Sequence, residues 1–132
     1  MARNYIRYGT AFTAQASAAI TADAFSGGTE TEFDTSSSGN ADGAEDLHCE
    51  IDVTTAPSTA TTCEIWMAAR QHDTTGDTEY RRVGLASVGT SAAKYGVPIY
   101  GPLPEIGKLK IKAIGYAMTA SLSARSIYQT DA

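Results

Sequence analysis

The chain has 132 residues and a formal net charge of −5 at pH 7, with 10 Lys and Arg against 15 Asp and Glu. This length predicts a single domain with one hydrophobic core. Because nonspecific phosphate binding needs clustered cations, the acidic balance speaks against a nucleic-acid partner. No stretch approaches the ~20 apolar residues of a membrane span, so no membrane partner is predicted either.

The first ten residues combine tyrosine and arginine before the first glycine, at Tyr5, Arg7 and Tyr8. The pattern fits either an N-terminal arm that lies on a neighbouring subunit or an ordinary first strand, with the rest of the domain over residues 11–132. The segment has no apolar stretch followed by a cleavage signature. It therefore predicts no secretory signal peptide and synthesis in the cytoplasm.

The next elements are weaker in pattern. Residues 11–22 are rich in alanine, but Thr and Ser interrupt them and no apolar stripe of helical period is present, so a strand is favoured over a helix. Another extended piece is predicted over residues 30–34. Residues 35–45 are rich in Ser, Gly, Asn and Asp, which suit turns, and are predicted to form the longest loop.

The strongest signal is the alternation of apolar and polar residues in Leu47–Val53 and Cys63–Arg70. Alternation at period two predicts a pair of antiparallel strands, with Pro57 outside the sheet between them. Cys49 and Cys63 fall on the inward faces, where free cysteine commonly serves as a small hydrophobe. Reduced core cysteines are therefore predicted, and a disulfide is the less favoured alternative.

Further strands are predicted over residues 78–88, 109–116 and 122–128, with a turn at residues 72–77 and three prolines punctuating residues 98–104. A row of alternate lysines at positions 108, 110 and 112 fits a solvated strand face, and such a row also protects a sheet edge from aggregation. Seven or eight short strands separated by turns predict an all-β fold. The expected architecture is an antiparallel β-sandwich, with a jelly roll as the favoured arrangement.

The residues offer no convergent catalytic set. His48 and Cys49 are adjacent and so point to opposite faces of a strand, while His72 opens a predicted turn. Glu50 and Asp52 share an outward face, which favours solubility over glycosidic acid–base chemistry. The Asp-rich turns lack the ligand spacing of calcium loops. We therefore predict a protein that is not an enzyme and that has no metal or cofactor site.

The strand pair over residues 47–70, with the turn and Tyr-bearing strand over residues 72–84, resembles the small jelly-roll virion proteins of tailed bacteriophages, which include the capsid cement, or decoration, proteins. The features in common are the strand pattern, the richness in small residues and the Asp/Gly turn. This resemblance implies a non-enzymatic homo-oligomer, with a trimer favoured, on the outer capsid surface of a virion. There it would bind the major capsid protein and stabilise the shell.

The predicted partner-binding residues are Tyr5, Arg7, Tyr8 and Trp66, because Tyr, Trp and Arg form large interface contacts at low entropic cost. Trp66, the sole tryptophan, is expected to face outward, either onto a partner or a second layer, or beneath a loop or the N-terminal segment. The main alternative is a carbohydrate-binding jelly-roll module of a head fibre or tail adhesin, in which Trp66 or the tyrosines stack on sugar rings. A small hydrolase is the third candidate.

Overall fold

The computed structural model describes the backbone of residues 4–70 and 79–131 and the side chains of residues 7–70 and 79–127. His72 and the predicted turn at residues 72–77 lie outside the described residues. Nine strands are described: β1 Asn4–Tyr8, β2 Phe12–Ile20, β3 Phe33–Asp34, β4 Asp46–Thr55, β5 Thr61–Ala69, β6 Arg81–Val88, β7 Ala93–Ile99, β8 Ile106–Ala113 and β9 Met118–Asp131. In the described part, no helix is long and apolar enough to cross a membrane.

The strands form two antiparallel sheets that pack as a β-sandwich, which confirms the predicted all-β fold class. Sheet A has the order β1-β9-β4-β7, and β2 also pairs with β9. Because Tyr8 pairs with Ile127 and Phe12 with Ala124, β1 and β2 lie end to end along β9. Sheet B has the order β3-β8-β5-β6. From β2 onward, each connection except that between β5 and β6 passes from one sheet to the other.

The core lies between the two sheets and follows the predicted alternation. In β4 the residues Leu47, Cys49, Ile51 and Val53 are at most 1% exposed, while the residues between them are partly exposed. Sheet B contributes Cys63 and Ile65 of β5 and the buried alternate positions of β8. Burying a Leu, Ile or Val side chain contributes about 1.5–3 kcal/mol, so these alternating runs supply much of the driving force for folding.

Both cysteines are core residues with free thiols, as the alternation predicts. Cys49 lies on β4 in sheet A and Cys63 lies on β5 in sheet B. Burial raises the pKa of each thiol to about 12, since a thiolate would be poorly solvated there, and the carboxylate of Glu64 adds to the effect at Cys63. The two side chains therefore serve as neutral packing groups.

Two elements differ from the sequence predictions. Strand β7 was not predicted, because Pro98 lies within it; the strand tolerates this proline since it forms an edge of sheet A. The lysine row does not lie at an open sheet edge. Strand β8 carries those lysines and pairs with β5 along one side. Along its other side it pairs with β3 at Ile106 and Gly107 and with the connection between β2 and β3 at Lys112.

A buried glutamine joins the two sheets. The register of β2 with β9 shifts on both sides of Gln15, whose side chain is fully buried. Its Nε2 donates to the carbonyls of Ser26 (3.0 Å) and Gly28 (3.2 Å), and its Oε1 accepts from the backbone N–H of Ile111 (2.9 Å). The amide thus ties β2 of sheet A to β8 of sheet B and to the connection between β2 and β3.

Replacing Gln15 by Leu is expected to lower the free energy of unfolding by about 3 kcal/mol or more, because two buried hydrogen bonds and one partly buried hydrogen bond lose their partner. Urea denaturation followed by circular dichroism measures this loss. The matched control is Ser17→Ala at an exposed position of the same strand, which should stay within about 0.5 kcal/mol of wild type. Equal stabilities of the two variants would contradict the proposed contribution of the Gln15 hydrogen bonds to stability.

The buried thiols predict a pH dependence of stability. Between the ordinary thiol pKa of 9.0 and the folded value of about 12, the unfolded chain loses thiol protons that the folded chain keeps. Stability from the two thiols is therefore complete below pH 9 and falls above it, by at most about 1.4 kcal/mol per pH unit for each thiol. Denaturation across this range should give a shallower slope for C49A/C63A than for wild type. Identical slopes would refute the prediction.

Candidate functional site

The predicted partner-binding residues lie on different surfaces of the sandwich. Tyr5 lies in β1, where its backbone pairs with Thr130 of β9, and its side chain lies outside the described residues. Arg7 and Tyr8 are both exposed, but neighbouring residues of a strand point to opposite faces. Trp66 lies on β5 in the other sheet. Tyr8 and Trp66 therefore belong to the opposite outer faces of sheets A and B, and they cannot form one site.

Trp66 lies on the outer face of sheet B beneath a loop. Its neighbour Ile65 is fully buried in the core, while Trp66 is half-buried on the other side of the strand. The ring of Phe25 packs edge-on against the indole, with centroids 5.5 Å apart and planes at 85°. The indole Nε1 donates to Glu64 Oε1 at 3.2 Å. Trp66 thus faces outward as predicted, and the covering side chain comes from the β2–β3 connection.

Backbone pairing explains the position of Phe25. The N–H of Asp23 donates to the carbonyl of Ala113, and that of Ser26 donates to the carbonyl of Ile111, both at 2.8 Å. Phe25 is bridged to Lys112 between these two bonds. Directly opposed residues of antiparallel strands project to the same face. Segment 23–26 therefore runs along β8 and presents Phe25 on the outer face of sheet B.

Two of the predicted lysines are held over aromatic rings in a cation–aromatic cluster, which consists of Phe25, Trp66, Tyr80, Lys110 and Lys112. Lys110 Nζ lies 4.7 Å from the ring centroid of Tyr80 and 5.4 Å from that of Phe25. Lys112 Nζ lies 5.3 Å from Phe25 and 5.5 Å from Trp66. Each contact is within cation–π range, worth about 0.5–1 kcal/mol at exposed sites. Lys110 and Lys112 are therefore positioned cations.

A nearly buried carboxylate completes this surface. Glu64 is 9% exposed, and it accepts from Trp66 Nε1 and from Arg82 Nη1, the latter at 2.9 Å. Leu85 pairs with Glu64 and is 51% exposed. We call this surface the basic face. It comprises Lys108, Lys110, Lys112, Arg82 and Leu85 around the carboxylate of Glu64.

The outer face of sheet A carries a shallow pocket of about 190 Å³, lined by Tyr8, His48, Glu50, Ser123 and Arg125. The rings of Tyr8 and His48 meet edge-on, with centroids 5.9 Å apart. His48 is partly exposed and Cys49 is buried, so these adjacent residues point to opposite faces as predicted. Sequence analysis did not single out Arg125, because its proximity to Tyr8 arises from the pairing of β1 and β4 with β9.

Among the described residues, no group of three or more His, Cys, Asp or Glu is placed to hold a metal ion. Comparisons with protein-family models, with curated proteins and with solved structures found no match. The functional argument therefore depends on the surfaces of this chain and on the order of its strands.

The single tryptophan makes the cluster testable by fluorescence. In the Phe25→Ala variant, water reaches the indole of Trp66, so its emission should shift to the red and acrylamide should quench it more strongly. The matched control is Tyr8→Ala, which removes an exposed aromatic ring from the opposite face and should leave the emission of Trp66 unchanged. Emission from Phe25→Ala that equals wild type would show that Phe25 does not cover the indole in solution.

Proposed function

We propose that this chain is a capsid cement protein, a non-enzymatic homo-oligomer that binds the major capsid protein on the outer surface of a tailed-phage virion and stabilises the shell. The observation that carries the proposal is the strand order. The orders β2-β9-β4-β7 and β3-β8-β5-β6, with connections that cross between the sheets, support a chain wound as a jelly roll. That is the fold which the sequence resemblance implies for such virion proteins.

Because one fold serves many functions, the fold alone does not specify a function, and the exposed surfaces must be considered as well. Strand β1 pairs with β9 on one side and has no partner on its other side among the described strands. Arg7 and Tyr8 are exposed on this edge. An edge strand can add to a sheet of another protein, and exposed Tyr and Arg side chains favour interface contacts. A weak contact of this kind suffices when many copies are held on one shell, because avidity multiplies it.

A carbohydrate-binding module of a head fibre or tail adhesin remains the second candidate, and the Tyr8 pocket is the observation in its favour. Tyr8 is 55% exposed, and its pocket offers the polar groups of Glu50, Ser123 and Arg125. An exposed ring beside hydrogen-bonding side chains can bind a sugar. Trp66 is less suited to stacking, because Phe25 packs against it and Lys112 Nζ lies 5.5 Å from its ring centroid.

The proposal predicts that the triple variant Y5A/R7A/Y8A folds but no longer decorates shells, because it lacks the three predicted partner-binding side chains of β1. The measurement is occupancy on purified shells by quantitative mass spectrometry, after thermal unfolding has shown that the variant is folded. The matched control is Tyr116→Ala, which removes a tyrosine that is 41% exposed in another part of the surface. Undiminished occupancy of the triple variant would refute the predicted contact between β1 and the shell.

The copy number of the wild-type chain in virions separates the two candidates. Copies of the same order as the major capsid protein support a cement protein, whereas a few copies per particle support a fibre or tail module. Titration of the wild type and of Tyr8→Ala with oligosaccharides provides the second discriminator. Binding that only the wild type shows would favour the carbohydrate module.

A further inference from the structure

Charge is unevenly distributed over this acidic protein. The sequence contains no Lys or Arg between Arg7 and Arg70. Four cations are instead gathered on the basic face, where Lys108, Lys110 and Lys112 alternate on β8 and Arg82 lies opposite Trp66 on β6. Lys110 lies opposite the same tryptophan from the other side, so these two cations flank one aromatic residue. The basic face therefore gathers four cations around one carboxylate, that of Glu64, which is paired with Arg82. This leaves an excess of positive charge on one face of a chain of net negative charge.

An acidic surface, opposite in charge to the basic face, lies at one end of the sandwich. The N–H of Thr35 donates to the carbonyl of Glu105 (2.8 Å), and the N–H of Gly101 donates to Asp46 Oδ1 (2.6 Å). These bonds hold the loop of residues 35–45 against residues 101–105. We call this surface the acidic end. Its carboxylates are Asp34, Asp42, Glu45, Asp46 and Glu105.

Both surfaces also carry an exposed apolar side chain. Leu85 on the basic face is 51% exposed, and Tyr100, which precedes Gly101 at the acidic end, is 75% exposed. Protein interfaces typically combine an apolar contact with surrounding polar and charged groups. The ammonium groups of Lys110 and Lys112 already lie over aromatic rings, which lowers the entropy lost when they pair with carboxylates.

We propose that the basic face of one copy binds the acidic end of a second copy, so that copies associate head to tail. The complementarity of charge within this one chain identifies the second copy as the occupant. Because the two surfaces differ, the interface is heterologous, and it can close into a ring of few subunits. This inference does not rest on a role at a virus shell, although it specifies the contact by which the proposed homo-oligomer would form.

The first test is sedimentation velocity of the wild-type protein over a range of concentrations. Association should be tighter in about 0.05 M NaCl than in about 0.5 M NaCl, since this increase in salt shortens the Debye length about threefold. A wild type that is monomeric under all of these conditions, or an oligomer that is insensitive to salt, would overturn the proposal.

The second test reverses the charge of each surface in a separate variant. The variants K110E/K112E, on the basic face, and D42K/E45K, at the acidic end, should each weaken self-association by about tenfold or more. The matched controls are K94E/R125E and E50K/D52K on the outer face of sheet A, which produce the same changes in net charge and should associate as wild type does. Equal loss in a reversal variant and its control would show a general effect of net charge and overturn the proposal.

The third test mixes the two reversal variants. Each variant retains one native surface, so K110E/K112E and D42K/E45K should associate with each other more tightly than either associates with itself. K110Q/K112Q keeps the long side chains without their charge, and it should weaken association even if K110E/K112E fails to fold. A mixture that stays monomeric, with both variants folded by circular dichroism, would overturn the proposal. Shell occupancy is a separate measurement, so failure here would leave the cement function open to its own test.

Discussion

The side-chain amide of Gln15 is the interaction on which the outer surface of sheet B depends. It occupies the hydrogen-bonding positions beside Ile111 and Ser26 that a continuous neighbouring strand would otherwise fill. The connection from β2 to β3 is thereby held along β8 rather than over open solvent. This placement brings Phe25 onto the outer face, where it covers Trp66 and lies near two lysine ammonium groups. A buried polar contact inside the sandwich thus organises an exposed surface.

The same surface depends on one carboxylate for its electrostatic balance. Glu64 lies among cations on β6 and β8, and it is satisfied by Trp66 and Arg82. A nearly buried charge is tolerated only when it is paired and hydrogen-bonded, and these bonds meet that requirement. Lys110 and Lys112 of β8 are meanwhile held by aromatic rings from three segments of the chain, at Phe25, Trp66 and Tyr80. Lys110, Lys112 and Arg82 of the basic face therefore have defined positions in the unbound protein.

Sequence reasoning succeeded where a local pattern was sufficient. The alternation identified the core residues of β4 and, in β5, Cys63 and Ile65, because a strand with one buried face must alternate at period two; it did not identify the buried Ala68 of β5. It failed at β7, since a proline in a strand is acceptable only at an edge and the sequence does not state which strands are edges. Gln15 was missed for a similar reason. Its partner Ile111 is 96 residues away in the chain.

The sequence by itself determined the fold class, the inward face of each clear strand and the absence of cationic residues from a long acidic half of the chain. Only the tertiary structure decided which surfaces those residues form. Strand pairing placed Tyr8 and Trp66 on opposite faces, and it assembled the basic face from the connection after β2 and from strands β5, β6 and β8. The physical reason is that alternation reports the direction of a side chain relative to its own strand, whereas neighbours across a sheet are set by long-range pairing.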